Sequence, residues 1–131
     1  MSDSTDLRAQ LSEQLRDNIT FDNQGRPVGP GGTTLHNAHD GKAPITAWID
    51  RRSKWGNPFV TEKDGGDYTR DESVELYRGW FYGHIETDEW EPEALRGETL
   101  GCWCVPKNCH GTVILNYLAD TYNPQRSVDE F

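Results

Sequence analysis

The sequence predicts a small single α/β domain, a short mixed sheet flanked by helices, with an N-terminal helical extension. Three observations point there. Short β-like segments at 33–37, 45–50 and 99–104 are interleaved with two longer stretches of helical periodicity at 69–85 and 110–122. The length, 131 residues, supports one core. Apolar residues make up only 34% of the chain, but five Trp, five Tyr and four Phe supply large buried areas per residue.

From the N-terminus, residues 4–17 read as an amphipathic helix capped at Ser4 or Thr5, with a stripe of Leu7, Leu11 and Leu15. The stripe suits packing on the domain, or a contact with a second copy or partner. Asn23, Gly25, Pro27 and the Gly/Pro cluster at 29–32 mark a linker with a short hairpin around 23–25. The division expected is therefore extension and linker over 1–32, domain over 33–122 and a loose polar tail over 123–131.

Segments 33–37 and 45–50 can pair across the polar turn between them. A loop at 51–59 and an Asp/Gly-rich linker at 62–67 lead into the strongest helix signal in the chain. There Thr69 and Glu72 have capping-box spacing, and Val74, Leu76, Tyr77, Trp80 and Phe81 form a wide apolar face. Pro92 starts a short helical turn over 93–96 that Gly97 ends. Segment 99–104 reads as a short buried strand, 106–108 as a turn, and 110–122 as a helix facing inward through Val113, Ile114, Tyr117 and Leu118.

The net charge is −9, from 22 acidic and 13 basic residues, and only four of the basic residues are Lys. That balance reads as halophilic, with an ordinary acidic cytosolic protein as the bland alternative. It opposes a surface that broadly attracts nucleic acid while leaving room for a local basic pocket. No apolar run is long enough for a membrane span and no export signal is present, so the expected location is the cytoplasm, or a virion if the protein is viral. Three Cys within eight residues then favour a metal or reactive-thiol site over a disulfide framework.

Strand alternation would put Cys102 and Cys104 on one face with Trp103 on the other, and the turn through 105–108 would return Cys109 and His110 to the same strand end. Three thiols and an imidazole are a tetrahedral zinc set. The spacing C-x-C-x4-C-H is not a common finger or ribbon pattern, and His36 or His39 could replace His110 as the fourth ligand. Alternatively, Cys109 or Cys104 is a nucleophile activated by His110, helped by the start of the last helix, where the dipole favours a thiolate. The bland reading makes the cysteines small core residues and His110 a helix cap.

The other conspicuous segment is Arg51, Arg52, Ser53, Lys54, Trp55, Gly56, Asn57, Pro58 and Phe59, the densest basic cluster in the chain. Arg51, Arg52 and Lys54 would repel one another without an anion or neighbouring carboxylates, which suits a phosphate or carboxylate ligand oriented by Asn57. Trp55 could stack on a ring and Gly56 permit close backbone approach. Equally, Trp55 and Phe59 are core anchors, and Asn57 with Pro58 is turn chemistry.

These residues resemble the Domain of Unknown Function 4326 family of bacteria, archaea and their viruses. The resemblance rests on Ser53 to Phe59 after an arginine, on Tyr77 and Trp80 in a capped helix, and on Leu100 to Cys104, Pro106 and Cys109 to Gly111. It covers about residues 33–120 and implies that both blocks form one site, without implying an activity. Thr112 stands where the family usually has Asp, which removes a carboxylate from any ligand or base role there.

The function expected is an enzyme or binding domain for a nucleotide or similar phosphorylated small molecule, held by Arg51, Arg52, Lys54 and Asn57. Zinc on Cys102, Cys104, Cys109 and His110, or a thiolate, would lie beside it. The alternative is a zinc-stapled, non-catalytic interaction or virus-associated module.

Overall fold

A computed structural model describes residues 13–38, 45–87, 89–103 and 109–121. Five strands form one mixed sheet: β1 (Thr20–Phe21), β2 (Pro27–Val28), β3 (Thr34–Asn37), β4 (Ala47–Trp48) and β5 (Thr99–Cys102), in the order β1-β2-β3-β5-β4. Two α-helices, α1 (Arg70–Glu86) and α2 (His110–Asp120), pack on each other beside it.

The hairpin read at 23–25 forms. Asp22 Oδ1 accepts from the backbone N–H groups of Gln24 and Arg26, and Gly25 adopts φ 80°, so β1 and β2 pair antiparallel. β2 in turn pairs with β3. The suggested pairing of 33–37 with 45–50 does not occur. β3 and β4 both run parallel to β5, which lies between them. β3 and β4 therefore run in the same direction, which a tight turn between them cannot produce. β5, arriving after α1, fills the gap instead.

β5 is the central strand. Leu100 and Cys102 face one side with Leu35, while Gly101 faces the other, where an added Cβ would lie 2.8 Å from Ile45 Cδ1 and 3.1 Å from Trp48 Cε3. Its regular pairing ends at Cys102, short of the 99–104 expected, and Trp103 sits in a bend.

Helix α1 starts with the anticipated capping box. Thr69 Oγ1 accepts from Glu72 N at 3.1 Å and Glu72 Oε1 accepts from Thr69 N at 2.9 Å. Ser73, Val74, Tyr77 and Phe81 form its buried face. Leu76 does not belong to it and is 41% exposed, because two residues from Val74 is more than half a turn away. Phe81 meets Tyr77, Trp55, Trp90 and Tyr117 in an aromatic core. The 3-10 turn Pro92–Leu95 precedes Gly97, whose φ is 82°. In α2 nearly every residue is buried, including Leu115, Asn116 and Ala119 beyond those expected.

Most of the expected N-terminal helix lies outside the described residues; within them, Glu13 and Gln14 are helical and residues 15–17 are not, so the helix stops short of residue 17. That end is tied to α2. Asn116 Nδ2 donates to Gln14 O at 2.8 Å, Asn116 Oδ1 accepts from Arg16 N at 3.0 Å, and Arg16 pairs with Asp120 at 2.9 Å. Leu15 packs against the core. Among the described residues, no helix is long and apolar enough to cross a membrane.

Candidate functional site

The two conspicuous blocks meet at the C-terminal end of β5. The segment after β4 folds back on itself: Ser53 N and Gly56 N donate to the Asp50 and Ser53 carbonyls, and Arg51 Nε donates to Asn57 O at 3.1 Å. Gly56 makes this reversal possible, since a Cβ there would lie 2.4 Å from Asp50 O and 2.6 Å from Arg51 Cα. The close approach it allows is of the loop to itself. Trp55 is buried between Phe81 and Trp90, and its carbonyl accepts from Tyr77 Oη at 2.7 Å. It is a core anchor, which removes it as a stacking surface. Asn57 is held from both ends, with Nδ2 donating to Ser73 Oγ at 2.7 Å and Oδ1 accepting from Phe59 N at 2.9 Å. Its amide orients the loop and the start of α1.

A cleft of 540 Å³ opens between this loop, the start of α1 and the start of α2. Among the described residues, four cations line it, Arg51, Arg52, Lys63 and Arg70, together with two carboxylates, Asp50 and Asp64. The difference, four minus two, leaves the wall with a formal charge of +2 in a chain whose total is −9. Lys54 is not on this wall; its ammonium sits 4.9 Å from the Trp55 ring centroid. Lys63 and Arg70 were not legible as site residues. Lys63 falls in a stretch that reads as linker, whereas Arg70 carried one usable signal: a cation in the first turn of a helix opposes the dipole unless an anion is near.

Asp50 organises one side of the cleft. Burial pushes its carboxyl up, but the Trp103 indole N–H at 2.9 Å, the Arg52 backbone N–H and the Arg52 guanidinium together hold it below the usual carboxylate range. Arg52 also lies 3.7 Å from the Trp48 ring centroid, and Trp48 stacks on Trp103 at 6.1 Å and 22°. Trp103 lines the cleft and is 44% exposed.

Cys109 and His110 also line the cleft, at the start of α2, although both are buried. Cys109 caps the helix, its Sγ accepting from Gly111 N at 3.4 Å, and lies 3.4 Å from Cys102 Sγ. That separation exceeds a disulfide bond of about 2.05 Å. His110 Nε2 is 2.5 Å from the Ile49 carbonyl and therefore carries the proton, which leaves Nδ1 as the acceptor, 3.8 Å from Cys109 Sγ. Burial drives the His110 pKa down to about 4 against that hydrogen bond, so the ring is neutral near pH 7. Gly111 lets α2 approach the sheet, since a Cβ would meet Leu35 Cδ1 at 2.7 Å. Thr112 is buried and donates to Cys109 O at 2.8 Å, closing the first turn without a charge.

Of the four sequence-predicted metal ligands, Cys109 and His110 lie on the floor of the cleft, Cys102 is buried against Cys109 beneath it, and Cys104 lies outside the described residues, as does His39. His36 is buried on β3, on the sheet face opposite Cys102. Among the described residues, no group of three or more His, Cys, Asp or Glu side chains is arranged to hold a metal ion.

The fold and this cleft define a small α/β domain whose two sequence blocks close on one cationic site. The chain belongs to the family described as Domain of unknown function (DUF4326), whose model matches residues 34–120. A relative in Enterobacteria phage T4, the uncharacterized 12.4 kDa protein in the nrdA-td intergenic region, is 34% identical over 92 residues, covering 68% of this chain and 82% of the relative. No solved structure matches the chain.

Proposed function

We propose that the cleft binds a phosphorylated small molecule of the nucleotide type, with Arg51, Lys63 and Arg70 as the principal anion contacts and Arg52 in support. The observation that carries this is the convergence of four cations on one concave wall of a strongly acidic chain. Their mutual repulsion is relieved by a bound anion, and the surrounding field excludes anions elsewhere. A volume of 540 Å³ is also in the range of small-molecule sites. Asn57 serves by holding the loop in place.

The second part of the reading is zinc at the floor. Cys102 and Cys109 have sulfurs 3.4 Å apart, against about 3.8 Å for two thiolates each about 2.3 Å from one tetrahedral zinc ion. A ring N–H given to a backbone carbonyl, as in His110, is the usual support of a metal-ligating imidazole. Cys104 would complete the set. Burial of both sulfurs favours a competing reading, a sealed zinc staple in a non-catalytic interaction module.

One preparation tests these readings. Pyrophosphate and nucleoside phosphates at low ionic strength should raise the melting temperature, and more salt should reduce the effect. Arg51→Ala and Arg70→Ala should abolish it. Absence of stabilisation by any of these ligands would remove the binding reading. Zinc near one equivalent after expression without chelators supports the metal, and less than about a tenth of an equivalent removes it. Unfolding by a chelator with no phosphate effect would favour the interaction module.

A further inference from the structure

Trp103 and Leu76 are the large apolar side chains most exposed among the described residues, and they differ in kind. Leu76 lies on the outer side of α1, where single exposed apolar residues are ordinary. Trp103 lies in the cleft, next to the cations. It is also held in place: its indole N–H bonds Asp50, Asp50 bonds Arg52, Arg52 covers Trp48, and Trp48 stacks on Trp103. These four side chains form a closed ring of contacts that fixes the indole before any ligand arrives.

We propose that Trp103 is a stacking platform for an aromatic heterocycle, so that the cleft's ligand is a nucleotide recognised by its base as well as its phosphate. This rests on the phosphate reading above and adds to it. A flat π surface beside cations matches a molecule that is aromatic at one end and anionic at the other. Stacking tolerates any base because every base has a π face. Pre-fixing the indole lowers the ordering cost of binding. Phe59, the other aromatic on the wall, is already met edge-on by Tyr68 and Trp80, which makes it the poorer platform.

The test is calorimetric titration of the full-length protein with a nucleoside monophosphate, ribose 5-phosphate and pyrophosphate. Wild type should prefer the nucleotide over ribose 5-phosphate by about tenfold, within the range of one base–aromatic stack. Trp103→Leu keeps apolar bulk on Trp48 without a π face; it should bring that ratio to within about twofold while leaving ribose 5-phosphate binding in place. Trp103→Phe keeps a ring and should retain most of the preference, which guards against a folding defect in the first variant. A wild-type ratio near one, or a ratio unchanged in Trp103→Leu, overturns the platform while phosphate binding stands. Failure of all three ligands to bind overturns the phosphate reading and the platform with it.

Discussion

The Arg51–Phe59 loop and the block running from Gly101 to Gly111 reach the same cleft by opposite allocations of their residues. In the loop, Trp55, Gly56 and the Asn57 amide are taken up by packing and turn geometry, and the arginines and Phe59 line the cleft. In the later block both glycines serve close packing, while Trp103, Cys109 and His110 line the cleft. The difference teaches that conspicuous residue types do not mark function by themselves. A Trp in one block is core and a Trp in the other is cleft wall, and burial separates them.

The comparison is broken most forcefully at one close-packed glycine in each block. Gly56→Ala should cost about 3 kcal/mol, measured by urea denaturation, because its Cβ would collide with backbone that cannot yield cheaply. Gly111→Ala meets the flexible end of Leu35 and should cost less, about 1–2 kcal/mol. The reverse order would mean that the loop is the softer of the two.

A pH-dependent effect, comparable in size to that of Gly111→Ala, comes from His110. Its folded pKa of about 4 lies below the ordinary 6.5, so the unfolded chain binds a proton more readily between those values. Stability from the neutral ring is complete above about pH 6.5 and is lost as pH falls towards about 4, amounting to about 2 kcal/mol by pH 5. His110→Gln should flatten this part of the curve of stability against pH. An unchanged slope in the variant would place the acid sensitivity elsewhere.

Smallest is Lys54→Ala. With the ammonium over Trp55 and away from the cleft wall, the change should alter stability by less than about 0.5 kcal/mol and leave pyrophosphate binding intact. A binding loss comparable to that of Arg70→Ala would bring Lys54 into the site and erase the distinction drawn between the loop's cations.

Local codes account for what was legible. The Thr69–Glu72 box, the Asn23–Gly25 turn, the stop at Gly97 and the inward face of α2 each depend on residues a few positions apart, so short-range hydrogen bonding and periodicity reveal them. Arg51, Arg52, Cys109 and His110, which line the cleft, were also visible as candidates, because charge density and the Cys–His pair are local features. Lys63 and Trp103 reach the cleft only through the fold, whereas Arg70 carried the local signal of a cation in a helix's first turn and Asp50 is tied to nearby Arg52.

By itself, then, the sequence determined helices α1 and α2, the turns, the mixed α/β character and the two conspicuous blocks, all of them consequences of local backbone preference and side-chain type. Tertiary structure decided the insertion of β5 between β3 and β4, and with it the meeting of the two blocks at one strand end. It also decided which tryptophan is buried, which cations face the cleft and which imidazole nitrogen faces Cys109. Each of these depends on desolvation and distance between residues far apart in the chain, quantities that exist only once the core has closed.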